Sequence, residues 1–317
     1  MCIAKRTEIL CLCLVAGMLV GEGANAGPGA VVYLADQDTL DINELYRVDL
    51  KTSDVARVSA TLVAGGDAGT FEIGPKGKSV VYRADQDTDD VFELYRVDLK
   101  TGDVTRINEA LVADGDVHKN FKVGPKGRSV VYLADQDTDQ VSELYRVDLK
   151  TGDVTRISEA LVADGDVSSD FQIGPKGKNV FYRADQDTDE VFELYRADLK
   201  TGDVSRISEP LVADGDVQWI FRVDRKGKFV VYRADQDTDE VFELYRVDLK
   251  NGDVAQISEA LVADGDVSSF EIDRKGKFMA YVADQDTDEV FELYRVDLKL
   301  SLIHISEPTR LGMLSRM

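Results

Sequence analysis

The sequence predicts an all-β protein built from repeated four-stranded antiparallel sheets, and two observations lead to this prediction. The string ADQDT occurs six times at spacings of 49, 50, 50, 50 and 49 residues, beginning at Ala35, Ala84, Ala134, Ala184, Ala234 and Ala283. Each repeat also carries Gly and other turn residues at fixed places between short segments rich in β-branched and aromatic residues. A fixed period of this length is typical of stacked structural units.

Each repeat contains four segments with strand character. In the second copy they are Phe71 to Ile73 (strand a), Ser79 to Ala84 (b), Phe92 to Leu99 (c) and Val104 to Ile107 (d). Turns rich in Gly and Pro join a to b and c to d, and an acidic loop joins b to c. One such sheet cannot bury both of its faces, whereas six stacked radially can, so we expect a β-propeller with at least six blades.

Other repeat architectures do not fit the pattern. A helical repeat would show an apolar period of 3.6 residues, which the sequence lacks, and a β-helix has shorter coils without hairpin turns. All 12 tyrosines fall at two positions of the repeat, such as Tyr82 in strand b and Tyr95 in strand c. We expect these rings to pack between blades, and stacking on an aromatic ligand is the alternative.

The first 26 residues predict a secretory signal peptide. Lys5 and Arg6 precede an apolar run from Ile9 to Val20, and Ala24-Asn25-Ala26 has the small-residue pattern of a cleavage site. The domains predicted are therefore a signal peptide (1–26), a propeller (27–299) and a tail (300–317). The alternative is a lipoprotein signal that uses Cys13. Either signal predicts a periplasmic or extracellular protein without membrane insertion after cleavage.

Composition limits the classes of binding partner and the cysteine chemistry that we expect for this chain. The formal net charge is −22, and such a surface repels nucleic acid and anionic lipid but favours cations and basic proteins. All three cysteines, Cys2, Cys11 and Cys13, lie in the predicted signal. The mature chain therefore has no thiol for a disulfide or a thiolate metal site. We expect a monomer that binds a protein or peptide of the cell envelope or outside the cell.

The repeat resembles that of TolB-type propellers. The unit GPKGKSVVYRADQDTD, followed by ELYRVDLKTGDVTRI, is similar to the family's S-P-D-G-K turn, S-D-R-D-G loop, D-I-Y or E-L-Y strand and R-L-T ending, over roughly residues 30 to 299. The chain departs from it in Lys76, where the family has aspartate, in a longer acidic b–c loop, and in an extra LVADGD linker. The resemblance implies a periplasmic protein-binding scaffold, or a non-catalytic propeller joined to a peptidase domain, and the fold does not choose between them.

The two ends of the repeat region are incomplete. The first copy has no clear strand a, and the last has no convincing strand d. Residues 300–310, LSLIHISEPTR, match the translation of a transposase-type sequencing adapter, so we expect the natural chain to continue differently beyond Lys299. The alternative is a degenerate strand d, because Ile305-Ser306-Glu307-Pro308 repeats Ile207-Ser208-Glu209-Pro210. An apolar stretch such as Leu302 to Ile305 is able to join a sheet in either case.

The acidic b–c loops are the candidate metal sites. Carboxylates stand at loop positions 1, 3, 5 and 9, a spacing similar to the calcium loops of integrin propellers, and Ca²⁺ favours several hard oxygen ligands. The candidate ligands in copies two to six are Asp85, Asp87, Asp89, Glu93; Asp135, Asp137, Asp139, Glu143; Asp185, Asp187, Asp189, Glu193; Asp235, Asp237, Asp239, Glu243; and Asp284, Asp286, Asp288, Glu292.

The alternative for these loops is that the acids are solvated or paired with arginine. Copy one has Leu40 at position 5, and position 6 carries no glycine for the sharp turn of an EF-hand loop. If calcium does bind, we expect a Kd on the order of 10⁻⁴–10⁻³ M, as in extracellular modules. Bound calcium would also relieve the self-repulsion of the chain.

A variable tripeptide before strand a is the candidate ligand-binding surface. It reads His118-Lys119-Asn120, Ser168-Ser169-Asp170 and Gln218-Trp219-Ile220 in successive copies, and Ser268-Ser269 in the last. We expect it on the loop face with the acidic loops, with Trp219 as an anchor, and the proposed ligand-binding residues are His118, Lys119, Asn120, Gln218, Trp219 and Ile220. The alternatives are drift at a tolerant loop position and, for Trp219, a place in the central channel.

The sequence predicts no catalytic residues. The histidines are His118 and His304, no G-x-S-x-G motif or phosphate-binding glycine loop occurs, and near-identical acidic loops give near-identical environments. Three functions remain open. The first is a protein-binding scaffold, with or without calcium. The second is the propeller part of a peptidase or other hydrolase, and the third is a calcium-stabilised envelope or adhesin repeat.

Overall fold

The computed structural model describes Ala24–Asn25 and residues 29–298, and all regular structure in these residues is β. No helix in this part of the chain has the length and hydropathy to cross a membrane. The strands form separate sheets, each made by one repeat in sequential order. The prediction of an all-β protein of four-stranded antiparallel sheets is confirmed.

The first three sheets follow the chain in order. Sheet 1 comprises β1 (Ala24–Asn25), β2 (Ala30–Ala35), β3 (Glu44–Asp49) and β4 (Val55–Arg57). Sheet 2 comprises β5 (Ala68–Ile73), β6 (Ser79–Ala84), β7 (Glu93–Asp98) and β8 (Val104–Arg106). Sheet 3 comprises β9 (Val117–Val123), β10 (Ser129–Ala134), β11 (Glu143–Asp148) and β12 (Val154–Arg156).

The later sheets repeat the same order. Sheet 4 comprises β13 (Val167–Ile173), β14 (Asn179–Ala184), β15 (Glu193–Asp198) and β16 (Val204–Arg206). Sheet 5 comprises β17 (Val217–Val223), β18 (Phe229–Ala234), β19 (Glu243–Asp248) and β20 (Val254–Gln256). Sheet 6, within the described residues, comprises β21 (Val267–Ile272), β22 (Phe278–Ala283) and β23 (Glu292–Asp297).

The observed strands agree closely with the prediction except at strand a. In sheet 2 strand b coincides with the predicted Ser79 to Ala84, and strands c and d differ by one residue at their ends. Strand a begins at Ala68 instead of Phe71, because the chain before Phe71 pairs across an irregularity in the register. The connecting turns rely on left-handed residues, such as Gly77 and Gly102 with φ of 60° and 80°.

The ends of the repeat region differ from the sequence expectation at one point. Sheet 1 has a fourth strand, because Ala24–Asn25 pair antiparallel with Val31 and Val32. These two residues lie in the predicted signal peptide, and the rest of that segment lies outside the described residues. The tail 300–317, including Leu302 to Ile305, also lies outside them, so the expectations about it stay predictions.

The sheets belong to two compact units, one formed by residues up to Gln140 with Tyr145–Thr155 and the other by Val141–Leu144 with residues from Arg156 on. Within each unit successive sheets pack face to face. In the first unit Val81 and Leu94 of sheet 2 join Val117, Phe121 and Tyr132 of sheet 3 in one apolar cluster. Each fully buried side chain of this kind contributes about 1.5–3 kcal/mol to the free energy of folding.

Both faces of an interior sheet are buried. In strand b of sheet 2 the neighbours Val80 and Val81 point to opposite faces, and both are at most 1% exposed. Stacking on both faces is the packing of propeller blades, so the fold is of the β-propeller class. The tyrosines of sheets 2 to 6 are buried, in agreement with the predicted packing between sheets, whereas Tyr33 of sheet 1 is half-buried. Each cross-strand pair stacks, with 5.6 Å between the ring centroids of Tyr82 and Tyr95.

Candidate functional site

The buried side chains of the repeated ADQD motif form hydrogen bonds within their own repeat and with the linker before it. Asp135, at loop position 1, accepts hydrogen bonds on its two carboxylate oxygens from the backbone N–H groups of Asp116 (2.5 Å) and Gln140 (3.4 Å). Gln136 is buried and accepts the hydroxyl of Tyr132 at 2.8 Å. The first acid of the predicted calcium loop is therefore an anchor that fixes the loop to the strand-a linker, and the same anchor occurs in copies two to six.

The glutamate at loop position 9 is also internally bonded. Glu193 is 5% exposed, accepts the Tyr195 hydroxyl at 2.8 Å and receives the Arg206 guanidinium at 2.5 Å. Asp187, at position 3, accepts the same Tyr195 hydroxyl at 3.1 Å. Burial, followed by the bond to Glu193, raises the pKa of Tyr195, so the hydroxyl stays a donor at neutral pH. The predicted ligands at positions 3 and 9 thus both accept a hydrogen bond from the same tyrosine hydroxyl.

Positions 1 and 5 come together in the second copy. Asp85, Asp89 and Asp90 each place one carboxylate oxygen within 4.8 Å of the others, with Asp85 buried and the other two exposed. Asp90 stands at position 6 with φ of 62°, so this loop makes its sharp turn without glycine. Glu93 and Asp87 are not in the group. The structure therefore divides the predicted four-residue set into two parts.

A second type of carboxylate hydrogen bond links one sheet to the next. The carboxylate of Asp116, in the LVADGD linker before sheet 3, accepts the backbone N–H of Phe92 of sheet 2 at 2.6 Å, and Val117 N–H donates to the Phe92 carbonyl at 2.8 Å. We call this pair of bonds the clip. Equivalent clips join Asp67 to Asn43, Asp166 to Ser142, Asp216 to Phe192 and Asp266 to Phe242.

Sequence reasoning missed the clip, although a signal for it was present. In four copies the second aspartate of the LVADGD linker stands one residue before a buried Val, and in the first copy Asp67 precedes the buried Ala68, a placement that suits a contact with a neighbouring sheet. Burial raises the pKa of Asp216. Because Asp116 is in turn held by Asp135, the first acid of the b–c loop supports the clip indirectly.

The variable tripeptide lies within strand a and not in a loop before it, which corrects the sequence expectation. His118, Lys119 and Asn120 fall inside β9, where the register shifts, because Phe121 pairs with Tyr132 but Val117 already pairs with Ala134. Ser168-Ser169-Asp170, Gln218-Trp219-Ile220 and Ser268-Ser269 fall inside the equivalent strands. A bulged strand tolerates different residues because some of them have no cross-strand partner.

The tripeptide residues differ in their availability. Trp219 is 58% exposed, whereas its neighbour Ile220 is 6% exposed and packs in the apolar cluster of sheets 5 and 6. Ile220 is therefore a core residue and was wrongly included among the accessible ligand-binding residues. Lys119 is exposed at its side chain, and its carbonyl accepts the Thr70 hydroxyl at 3.0 Å. His118, Asn120 and Gln218 are half-buried.

Charge is segregated along each sheet. The end that carries the b–c loop and the linker exposes acids, in sheet 2 Asp87, Asp89 and Asp90, followed by Glu109 and Asp114. The end that carries the a–b and c–d turns exposes lysines such as Lys76, Lys78 and Lys100. The segregation follows from strand order, because alternate connections of an up-and-down sheet emerge at opposite ends. The net charge of −22 is therefore concentrated at the loop ends.

Comparisons with known proteins identify the fold and not a function. No family model and no curated protein matches the chain. The crystal structure of Porphyromonas gingivalis dipeptidyl peptidase 4 is similar over 92% of this chain and 45% of that one, with 11% identity and a TM-score of 0.68. The crystal structure of a putative dipeptidyl aminopeptidase IV from Bacteroides ovatus ATCC 8483 is similar over 91% of this chain and 46% of that one, with 13% identity and a TM-score of 0.60.

TolB from Acinetobacter baumannii is also similar, over 91% of this chain and 64% of that one, with 17% identity and a TM-score of 0.43. The chain spans less than half the length of the two peptidases. At these identities the likeness defines the class of protein alone: the chain has a propeller fold of the kind found in such peptidases.

Proposed function

We propose that the chain is a secreted, non-catalytic propeller scaffold that binds a basic protein or peptide segment at the loop ends of its sheets, with assistance from calcium. One observation carries the proposal. Trp219 is 58% exposed in β17, an edge strand of sheet 5, and the exposed side chains of the b–c loop of this sheet are mainly acidic. An exposed tryptophan within an acidic surface suits a cationic partner, through cation–π contact and long-range attraction.

Each unit has its own proposed binding residues, which are Trp219 and Gln218 in the second unit and His118, Lys119 and Asn120 in the first. The buried motif residues favour a scaffold over an enzyme, since the acids that recur in every copy are bonded to backbone, tyrosine or arginine. Calcium assistance is proposed at Asp85, Asp89 and Asp90, where exposed carboxylates converge.

Trp219 is the single tryptophan of the chain, so its fluorescence tests the proposal directly. We expect a non-fluorescent peptide of alternating lysine and serine to shift its emission saturably. Matched variants are Asp237→Asn, at the loop end near Trp219, and Asp253→Asn, at the turn end of the same sheet, and we expect the first to weaken binding more. A linear, non-saturating response, or equal effects of the two variants, would contradict the proposal.

The second candidate is the propeller part of a longer peptidase. The structures that favour it are peptidases of which this chain covers 45% and 46%. The test is to read the genomic locus beyond the codon for Lys299 by a method that uses no transposase adapter. A downstream nucleophile motif would favour the peptidase, and a closing strand followed by a stop codon would favour the stand-alone scaffold.

A further inference from the structure

Sheets 4, 5 and 6 all belong to the second unit, and their a–b turns contact one another in succession. Pro175 of the first turn lies against Gly227 of the second, with 3.4 Å between the proline Cγ and the Cβ position of the glycine. Lys226 of the second turn donates its ammonium group to the carbonyl of Lys275 in the third at 3.4 Å. The three turns therefore form one continuous row, which we call the turn row (residues 174–178, 224–228 and 273–277).

The exposed charged side chains of the turn row are all basic. Sheet 4 contributes two lysines, and sheets 5 and 6 contribute Arg225, Lys226, Lys228, Arg274 and Lys275. Within the described part of the chain none of these five cations forms an ion pair with a carboxylate. Their charges are therefore available to an anion from outside the molecule.

The two aspartates of the turn row are bonded to the backbone of their own turns. Asp224 is 3% exposed, and its carboxylate accepts the N–H groups of Lys226 at 3.0 Å and Phe229 at 3.1 Å. Asp273 accepts the backbone N–H groups of Lys275 at 3.1 Å and Phe278 at 2.9 Å. Each of these turns also has three cations for its one aspartate, so its net charge stays positive.

The c–d turns at the same end of the sheets are not basic. Lys200 of sheet 4 stands between Asp198 and Asp203, and sheet 5 has the same arrangement of one lysine between two aspartates. The positive charge at this end is therefore confined to the turn row and does not extend over a plane. A narrow row of cations complements a linear anionic chain better than a flat anionic membrane, which would also meet those aspartates.

The residue types of the turn row indicate the kind of anion. Guanidinium groups such as those of Arg225 and Arg274 bind the oxygens of a phosphate or a similar oxyanion in pairs, and ammonium groups bind as point charges. The turn row contains no aromatic residue, so it offers no surface on which nucleic-acid bases stack.

We propose that the turn row binds a linear polysaccharide that carries sulfate or phosphate groups. This site lies at the opposite end of the sheets from the acidic loops, and it adds an anionic ligand to the basic partner proposed for the loop ends. The net charge of −22 repels a polyanion at a distance. We therefore expect binding near physiological ionic strength, where a Debye length of about 8 Å limits that repulsion to nearby charges.

The test measures binding of the full chain to fluorescein-labelled dextran sulfate by fluorescence anisotropy in about 150 mM NaCl. Labelled dextran without sulfate is the uncharged control, and we expect saturable binding to the sulfated polymer alone. The double variant Arg225→Gln with Arg274→Gln should weaken binding by about tenfold. The matched pair Lys200→Gln with Lys250→Gln removes two charges from the c–d turns and should weaken it by less than about twofold. Circular dichroism checks that both double variants fold.

Equal weakening by the two pairs of substitutions would overturn the proposal, because any two positive charges would then serve. The absence of saturable binding by the parent chain would overturn it as well. Tighter binding to phosphatidylglycerol vesicles, or equal binding to single-stranded oligodeoxythymidine, would overturn the choice of a polysaccharide. Asp237→Asn, which tests the loop end, should leave dextran sulfate binding unweakened, so failure at one end of the sheets is distinguishable from failure at the other.

Discussion

At the scale of single residues, the acids of the b–c loops form bonds that their spacing did not reveal. Their spacing predicted calcium ligands, but Asp135 binds two backbone N–H groups and Glu193 binds a tyrosine and an arginine. The partners of Asp135 include an N–H 19 residues away, which no local pattern identifies. A buried carboxylate is held by such partners because leaving it unpaired would cost several kcal/mol.

The glutamate at loop position 9 has different partners in sheets 4 and 5, so the chain itself allows the two partners to be compared. Sheet 4 has Arg206 bonded to Glu193, whereas sheet 5 has Gln256 bonded to Glu243 at the same position. Burial raises the pKa of Glu243 above its ordinary value of 4.5, so ionisation of Glu243 opposes folding at neutral pH. We expect Gln256→Arg to stabilise the protein at pH 7 by about 1 kcal/mol, because the guanidinium favours the ionised carboxylate.

The sign of the pH dependence distinguishes this cause. The raised pKa makes the cost of ionisation present above the folded pKa and absent below the ordinary pKa of 4.5, so the gain from Gln256→Arg fades as the solution is acidified. Urea unfolding of the parent protein and of the Gln256→Arg variant between pH 7 and pH 4 measures this pH dependence. The reciprocal change Arg206→Gln should lose stability at pH 7 by a similar amount. A gain independent of pH would mean that packing, and not charge, is responsible.

At the scale of elements, turns and strand ends followed local chemistry, whereas strand a did not. The Gly-Pro-Lys-Gly and Lys-Thr-Gly-Asp turns predicted strands b, c and d to within a residue in sheet 2. Strand a is longer than predicted because its first residues pair with strand b beyond a bulge. The variable sequence of the tripeptide gave no pattern from which this bulge could be predicted. The tripeptide therefore lies in a strand and not in a loop, and Ile220 is buried, whereas Asn120 and Asp170 at the same place are half-buried.

The c–d turn gives a test at this scale. Gly102 has φ of 80°, and a Cβ added there would meet nothing within 4 Å, so any penalty for a side chain comes from the backbone alone. Sheet 1 carries Ser53 at the equivalent position with φ of 64°. We expect Ser53→Gly to stabilise the protein and Gly102→Ser to destabilise it, each by about 1 kcal/mol, because a left-handed conformation is strained for residues other than glycine.

Thermal unfolding of the two single variants and of the double swap measures these changes. The two sites lie in different sheets, so the effects should add and nearly cancel in the double variant. If both single variants are destabilised, local packing governs the turns, and the argument from backbone conformation is wrong.

At the scale of the whole molecule, the excess of negative charge opposes folding. Most exposed acids lie at the loop end of each sheet and most lysines at the turn end, where single exposed acids such as Asp103 and Asp253 also lie, and the chain as a whole has a net charge of −22. Self-repulsion among the loop ends lowers the stability of the compact state.

Screening should therefore stabilise the protein. We expect the melting temperature to rise as NaCl is increased from about 10 mM to about 500 mM, because the Debye length shortens from about 30 Å to a few Å. Choline chloride should act equally if the effect is screening. Calcium chloride at matched ionic strength distinguishes the calcium-stabilised repeat: a further rise supports it, and an identical curve argues against calcium binding.

The sequence by itself determined the repeat, the four-strand unit, the turns and the packing of the tyrosines, because these depend on local propensity and on a period visible in the chain. Only the tertiary structure decided which acids are anchors, which residue beside Trp219 is buried, and how clips join the sheets. Those features depend on contacts between residues distant in sequence, such as Asp116 with Phe92. Near-identical copies also acquire different surroundings, so Leu244 is buried while Leu293 is exposed.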